Sequence, residues 1–578
     1  MLQTLKKVFY CPIVCILFAI YPIIHFWSHN WEEVFAQEII ILFSAFIIFA
    51  FIVYKVFRYI CKDKAKAILV TLLFLIMFIS FEWFFNPCGN TYLYLYSIKF
   101  CGMIVGRFRV LIALWIIIFV AVATLIYRIK RPLKLIIFCL KIYILILLCM
   151  TLPKILYSAI NESSILTKSK HIDIEAPSKQ DLAVGYKPNI YYIILDAYTR
   201  SDTLQTLFDY DNSEFTNYLN KKGFFVANKS CSNYFSTSKS IPSSMNMNYA
   251  PPDKSYEHFP SEALSNSNLI SALKKLGYYI INISSRTGFT SKIKSADLTL
   301  NEYPFSDFTR EILIKTILGP LVNSYFIKKI EFINKKIDAI IPEKGATILK
   351  QLEILKNIPT TIKNQPFFVF CHMVCPHRPF VFSSAGKIGS RHLIELPAYY
   401  KENYPNEVKW LSRKVMDVVD TILRESSQKP IIIIQGDHGS SLYYVLWRTI
   451  SEENITDYNL FLELIQKIYM RERLSNLNAY YLPGEAKNLL YETITPVNSF
   501  RVVLNYYFET KLPLLEDKSC FFDVKNTSSE KYYKTGYINN ININKLCKKI
   551  EKLVKEEKAK DLFSAAKETF YDPNQKFN

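Results

Sequence analysis

Asp437 and His438 follow four consecutive isoleucines in "IIIIQGDHGS" (431–440), and Asp196 directly follows "YYIIL" (191–195). Carboxylate oxygens and an imidazole are ligand types that Zn²⁺ or Mn²⁺ takes. Three such ligands on two strand ends would hold a metal and leave a position open to substrate. Gly436 and Gly439 flank the pair and allow a tight turn that points both side chains the same way. The corner also reads as a plain turn after a buried strand, since Asp often begins turns and a histidine can bond locally.

Two further stretches carry reactive groups. "CSNYFSTSKSIPSSMNM" (231–247) holds seven serines and threonines, among them Thr237 and Ser240. A hydroxyl at a helix N-terminus beside a metal is placed as a nucleophile: the metal lowers its pKa and the helix dipole favours the anion. Ordinary N-capping explains one such hydroxyl. "CHMVCPHRPF" (371–380) supplies His372, His377 and Arg378. A histidine here could protonate a leaving oxygen, or pack as a satisfied core residue. Arg378 could grip an anionic oxygen.

Such side chains need rigid elements. Short runs rich in β-branched and aromatic residues predict strands at 189–195, 223–228, 277–284, 366–371, 430–435 and 478–483. Between them, 267–277 and 407–426 have helical apolar spacing. Alternating strands and helices predict a mostly parallel sheet covered on both faces, with ligands bound beyond the carboxyl ends of its strands.

The region before residue 158 is different. Five stretches, at 8–27, 34–57, 65–85, 107–127 and 132–158, approach the roughly 20 residues needed to cross a bilayer as helix. Lys6 and Lys7 precede the first. Arg58, Lys62, Lys64 and Lys66 follow the second, and Arg128, Lys130, Arg131 and Lys134 follow the fourth. The bias predicts a cytoplasmic N-terminus and an external domain after 158. The expected organisation is a transmembrane part (1–158), a linker (159–187), an α/β domain (188–525) and a charged extension (526–578).

The net charge of +20 comes from dispersed lysines, many of them juxtamembrane, and no nucleic-acid motif accompanies them. Attraction to anionic lipid headgroups accounts for it, as does a simple abundance of Lys. Of twelve cysteines, five lie outside the apolar region: Cys231, Cys371, Cys375, Cys520 and Cys547. An odd number leaves at least one unpaired within the chain.

In order, "YYIILDAY", "STSKSIPSSMN", "PHRPF" and "IIIIQGDHG" resemble the alkaline phosphatase–sulfatase superfamily. The likeness is greatest to its membrane-anchored, sulfatase-like branch, which includes phosphoethanolamine transferases and lipoteichoic-acid synthases. It spans about 186–525. The resemblance implies an alkaline phosphatase-like α/β fold outside a bacterial plasma membrane. It implies that Asp196, Asp437 and His438 bind divalent metal, Zn²⁺ or Mn²⁺ foremost, with Ca²⁺ or Mg²⁺ also in range. Thr237, five residues before Pro242, takes the place of the transferases' nucleophile and itself touches the metal. His377 matches a histidine acting near the leaving group, and His372, Arg378 and Lys239 lie where substrate oxygens would be bound. Two departures stand out. Asp196 occupies a position where the transferases usually have Glu. Ser244 stands where a sulfatase's C/S-x-P-x-R motif needs Arg, which weighs against an oxidised nucleophile and leaves Ser240 as an unmodified alternative.

The expected activity is transfer of a phosphoethanolamine- or phosphoglycerol-type group from a membrane phospholipid, through Thr237, to an envelope glycan or glycolipid. Hydrolysis of sulfate or phosphate esters by a tethered sulfatase or phosphodiesterase is the alternative. A domain that has lost its metal and serves as a scaffold is a third.

Overall fold

The computed structural model describes residues 12–29, 36–81, 97–100, 103–165, 187–251, 260–286, 288–301, 308–309, 312–313, 316–318, 344–387, 397–450, 455–523 and 526–553. The chain forms two compact units: 1–168 with 303–342, and 169–302 with 343–578.

The first unit is helical. Its helices are α1 (Ile13–His29), α2 (Ala36–Cys61), α3 (Lys64–Ile79), α4 (Arg107–Arg128) and α5 (Lys134–Ile165), with a hairpin of β1 (Ser97–Phe100) and β2 (Met103–Gly106). Each helix falls on one of the five apolar stretches. Ile23, Leu42, Ile68, Leu75, Ile137 and Ile144 form the shared core. Ile40, Ile117 and Leu135 are among many apolar side chains left exposed. Among the described residues, two segments are long and apolar enough to cross a membrane, Glu38–Cys61 and Lys134–Pro153; Ile13–Ser28 and Ile112–Arg128 are shorter. The sequence boundary at 158 falls inside α5. Residues 303–342, read from sequence as part of the α/β domain, belong to this unit instead: Phe308 and Ile312 join its core and the Thr309 N–H donates to Glu38 Oε1.

The second unit is built on a seven-stranded sheet. Its strands are β3 (Ile190–Leu195), β4 (Phe225–Val226), β5 (Tyr279–Ile283), β6 (Leu298–Leu300), β7 (Phe367–Met373), β8 (Ile431–Gln435) and β9 (Asn478–Tyr481), in the order β4-β9-β8-β3-β7-β5-β6. The pairs β8–β3, β3–β7, β7–β5 and β5–β6 are parallel; β9 runs against both neighbours. Alternation splits the central strands between two cores. Tyr191, Ile193, Ile432 and Ile434 face one, and Ile190, Tyr192, Ile431 and Ile433 the other. Burial of each isoleucine contributes about 2–3 kcal/mol, so the sheet itself, without a metal, fixes where its strand ends lie.

On the Ile190 face pack α6 (Thr237–Asn246), α7 (Asn268–Lys275) and, in the C-terminal half, a helix at Pro496–Tyr507. The opposite face is covered by α8 (Lys344–Thr361), α9 (Pro397–Glu425), α10 (Leu442–Thr449), α11 (Tyr458–Leu474) and α12 (Ile543–Leu553). A last hairpin joins β10 (Lys518–Asp523) to β11 (Asn526–Lys534), with Lys518 opposite Lys534. The boundary expected at 525 therefore divides a hairpin, and Ile543 and Ile550 of the supposed extension pack in the core. Among the described residues, Cys231, Cys371, Cys375 and Cys520 are buried free thiols and Cys547 is partly buried.

Candidate active site

The three central strands β8, β3 and β7 deliver the site. Asp196 is the first residue beyond β3, and its N–H donates to Met373 O at the end of β7 (2.9 Å). Asp437 and His438 lie just beyond β8. His372 lies in β7, in register with Ile194. Adjacent parallel strands thus bring groups distant in sequence to one edge of the sheet.

The corner after β8 is tied down from every side. Asp437 Oδ1 accepts from the Ala197 N–H (3.0 Å) and the His438 N–H (2.9 Å). Asn476 Nδ2 donates to Gly436 O at 2.6 Å. Gly436 and Gly439 are needed for close approach rather than for a positive φ. A Cβ on Gly436 would meet Tyr198 O at 2.5 Å, and one on Gly439 would meet Glu472 O at 2.1 Å. Glu472 continues the support: it accepts from Ser440 Oγ (2.7 Å) and from the Leu442 and Tyr443 N–H groups (2.5 and 2.9 Å) at the start of α10.

Thr237 is the first residue of α6, after Ser236 in extended conformation. Its hydroxyl donates to Asp437 Oδ2 (2.7 Å), and its Oγ1 lies 3.1 Å from His438 Nε2. His438 Nδ1 faces Gly439 O at 3.1 Å. A carbonyl can only accept, so Nδ1 carries the proton and Nε2 offers a lone pair. With its hydrogen on Asp437, Thr237 Oγ1 faces that nitrogen lone pair to lone pair. Nε2 also lies 3.2 Å from Asp437 Oδ2 and 3.7 Å from Asp196 Oδ1, which is buried without a hydrogen-bond partner. Ligands about 2.0–2.1 Å from a tetrahedral Zn²⁺ are about 3.3 Å from one another. The donor set and its spacing therefore fit a divalent cation held by Asp196, Thr237, Asp437 and His438.

Electrostatics agree. Burial pushes both carboxyls well up from the usual carboxylate range, and the charge of Asp196 adds to the rise at Asp437. Two desolvated carboxylates side by side need positive charge between them. Burial and the nearby Arg473 charge push the His438 imidazole far down, which keeps its lone pair available.

His372 bonds Thr290 Oγ1 through Nδ1 (2.7 Å), while its buried Nε2 has no hydrogen-bond partner and faces Asp196 Oδ2 at 3.6 Å. His377 Nδ1 donates to Arg378 O (2.6 Å). Burial and the charges of Lys344, Arg473 and Arg378 push His377 down to about 3. Burial and His377 push His372 down to about 3 as well. Both imidazoles are neutral near pH 7, which corrects the proton-donor role expected of His377. Arg378 enters through its carbonyl, and its charge acts on His377 and Tyr400.

Two other expectations change. Lys239 does not face the ligand set. Lys239 is 6% exposed, and its ammonium is held by both carboxylate oxygens of Glu530 in β11, at 2.8 and 2.9 Å. A desolvated amine needs such a counter-charge. Ser240 donates its hydroxyl to Asp437 O at 2.6 Å and is 2% exposed, so it braces the corner instead of facing the ligands.

Sequence reading missed two residues. Lys344, at the start of α8, donates to the carbonyls of His377 and Pro379 and so holds the histidine loop. Arg473, near the end of α11, donates to Phe235 O (2.8 Å), Gly439 O (2.9 Å), Ser441 Oγ (2.8 Å) and His438 Nε2 (2.8 Å). The only signal for it was a charged "RER" (471–473) before "LSNLNAYYLP" (474–483), which resembles a solvated helix end.

A family model described as sulfatase matches residues 188–500. No curated protein sequence matches the chain. Similar solved structures include the C-terminal periplasmic domain of EptC from Escherichia coli in complex with zinc, at 12% identity over 56% of this chain and 83% of that one, TM-score 0.37. The same domain of phosphoethanolamine transferase EptC from Campylobacter jejuni matches at 13% identity over 57% and 92%, TM-score 0.35. The soluble domain of lipooligosaccharide phosphoethanolamine transferase A from Neisseria meningitidis matches at 12% over 57% and 90%, TM-score 0.33.

Proposed function

The chain belongs to the sulfatase family, within the alkaline phosphatase superfamily of phosphotransferases and hydrolases, and from that premise we propose that it is a metal-dependent, membrane-bound phosphotransferase with Thr237 as nucleophile. The observation that carries this reading is the place of Thr237 Oγ1, 2.7 Å from Asp437 Oδ2 and 3.1 Å from His438 Nε2. Ser244, where a sulfatase's aldehyde-forming motif needs Arg, favours this reading over sulfate-ester hydrolysis.

The donor is a membrane phospholipid carrying a phosphoethanolamine- or phosphoglycerol-type headgroup. The acceptor is a hydroxyl of an envelope glycan or glycolipid. Two segments long and apolar enough to span a bilayer support a location at the donor's membrane; we read five spans, with the second unit outside a bacterial plasma membrane.

Asp196, Thr237, Asp437 and His438 would hold Zn²⁺ or Mn²⁺, which supplies Lewis-acid charge against developing anionic oxygens. Asp437 Oδ2 takes the hydrogen bond of the Thr237 hydroxyl and orients Oγ1 for attack. An Oγ1–phosphorus bond forms as the bond to the diacylglycerol oxygen breaks, and the departing oxygen takes up the proton that Thr237 Oγ1 releases. The acceptor hydroxyl then attacks phosphorus as the Oγ1–phosphorus bond breaks, and its proton passes by way of the neutral His377 Nε2 to Thr237 Oγ1. Lys344 and the Arg378 carbonyl hold that imidazole in one orientation.

Mass spectrometry of the peptide containing Thr237, after incubation with phospholipid, tests the reading. An adduct on Thr237 is expected, and its mass names the transferred group. Turnover without an adduct, with water as acceptor, would instead support a tethered phosphodiesterase.

A further inference from the structure

Arg473 makes four hydrogen bonds, all to neutral groups. Among the described residues it forms no ion pair with a carboxylate. Its positive charge is therefore held beside the candidate site without a bonded counter-charge. Three of its bonds fix the guanidinium to the two segments that matter: Phe235 O lies two residues before Thr237, and Gly439 O and Ser441 Oγ lie just after His438. The fourth sends Nη2 to His438 Nε2.

That fourth bond cannot coexist with a metal on His438. The imidazole proton is on Nδ1, so Nε2 has one lone pair, which serves either the guanidinium or a cation. When the lone pair is taken by a cation, Nη2 loses that acceptor, and its N–H groups are left near Thr237 Oγ1, which lies 3.1 Å from the same Nε2. We propose that Arg473 is a substrate-binding residue: it gives up His438 when a cation takes Nε2, and grips a non-bridging oxygen of the tetrahedral phosphoryl group when metal and substrate are present. A planar, permanently charged fork fits such an oxyanion. This assignment rests on the metal site and phosphoryl chemistry proposed above, and it gives Arg473 the role that sequence had offered to Lys239.

The test uses the full chain in detergent, loaded with zinc, and inorganic orthophosphate as probe. Zinc and phosphate affinities are measured by calorimetry for wild type, Arg473→Met and Arg473→Lys. Arg473→Met is expected to weaken phosphate binding by about 10–100-fold, the range for losing charge-assisted hydrogen bonds. Its zinc affinity should equal or exceed that of wild type, because a competitor for Nε2 is gone. Arg473→Lys keeps the charge without the fork and should fall between. If Arg473→Met does not fold, the lysine variant decides alone, with a loss of about 3–10-fold expected. Phosphate affinity indifferent to Arg473, with zinc bound, overturns the assignment. A chain that binds phosphate through Arg473 yet forms no Thr237 adduct overturns covalent transfer and leaves this assignment standing.

Discussion

Gly439 and Glu472 pack backbone to backbone: a Cβ added to Gly439 would lie 2.1 Å from the Glu472 carbonyl oxygen and 2.8 Å from that of Ser475. Neither obstacle is the end of a flexible side chain, so a larger residue must move main chain. Gly439→Ala is expected to cost about 2–4 kcal/mol of stability, as overpacking in a tight interior does. Because the displaced residue adjoins His438, zinc affinity should fall with it. Thermal unfolding and zinc titration of the variant check both effects, and an unchanged zinc affinity would contradict the packing argument.

Thr237→Ala removes the proposed nucleophile while leaving the helix that carries it. Turnover should drop by at least about 1000-fold, as for loss of a covalent nucleophile. The melting temperature should stay within a few degrees, since Ala is a good helix former. Kinetics on phospholipid vesicles, with circular dichroism as the fold control, measure the two together. Substantial residual turnover would point to another nucleophile.

Metal removal should affect fold as well as activity. Asp196 and Asp437 are buried together, and burial disfavours both charges. A bound cation at 1,000 times its Kd stabilises by about 4 kcal/mol. Chelation should therefore abolish turnover and lower the melting temperature, and zinc or manganese should restore both. Calorimetric melts before and after dialysis against a chelator decide it. No shift in melting temperature would mean the four side chains hold no cation.

The histidine loop predicts an acid sensitivity. His377 sits at about 3 in the folded chain, against an ordinary value near 6.5. Between those values the unfolded chain binds the extra proton, so stability is lost as pH falls through that window. His377→Gln removes the linkage at that position. Between pH 6 and 4, wild type should take up about one more proton on unfolding than the variant, a slope difference of about 1.4 kcal/mol per pH unit. Denaturant melts across that range, at fixed metal loading, supply the slopes; parallel slopes would place a charged His377 in the fold.

Sequence reached much of this architecture because burial on both faces leaves an unambiguous pattern. "IIII" (431–434) and "YYIIL" (191–195) are unbroken runs of aliphatic and aromatic residues, and both lie in central parallel strands. The helix at Pro496 opens with Pro after Thr495, which preorganises a first turn. β6 was missed, since three half-buried residues carry too little period. The β10–β11 hairpin was missed because "SSEKYYK" (528–534) is polar and its pairing is set by a partner strand. At the site, ligands at strand ends were legible, while roles set by distant contacts were not. Lys239 looked like an anion grip because Glu530 lies far along the chain. Arg473 looked like a solvated helix end because its partners come from residues 235, 438, 439 and 441.

The Lys239–Glu530 pair bears on how a soluble fragment should be cut. A fragment ended at residue 525, where the motif pattern stops, would keep β10 and discard β11. It would retain the Lys239 ammonium in the first turn of the helix that Thr237 begins and remove the Glu530 carboxylate that bonds it. Such a fragment would lack a buried ion pair two residues from Thr237, and its inactivity would say nothing about the full chain. Expression should run through Leu553, the last described residue of α12.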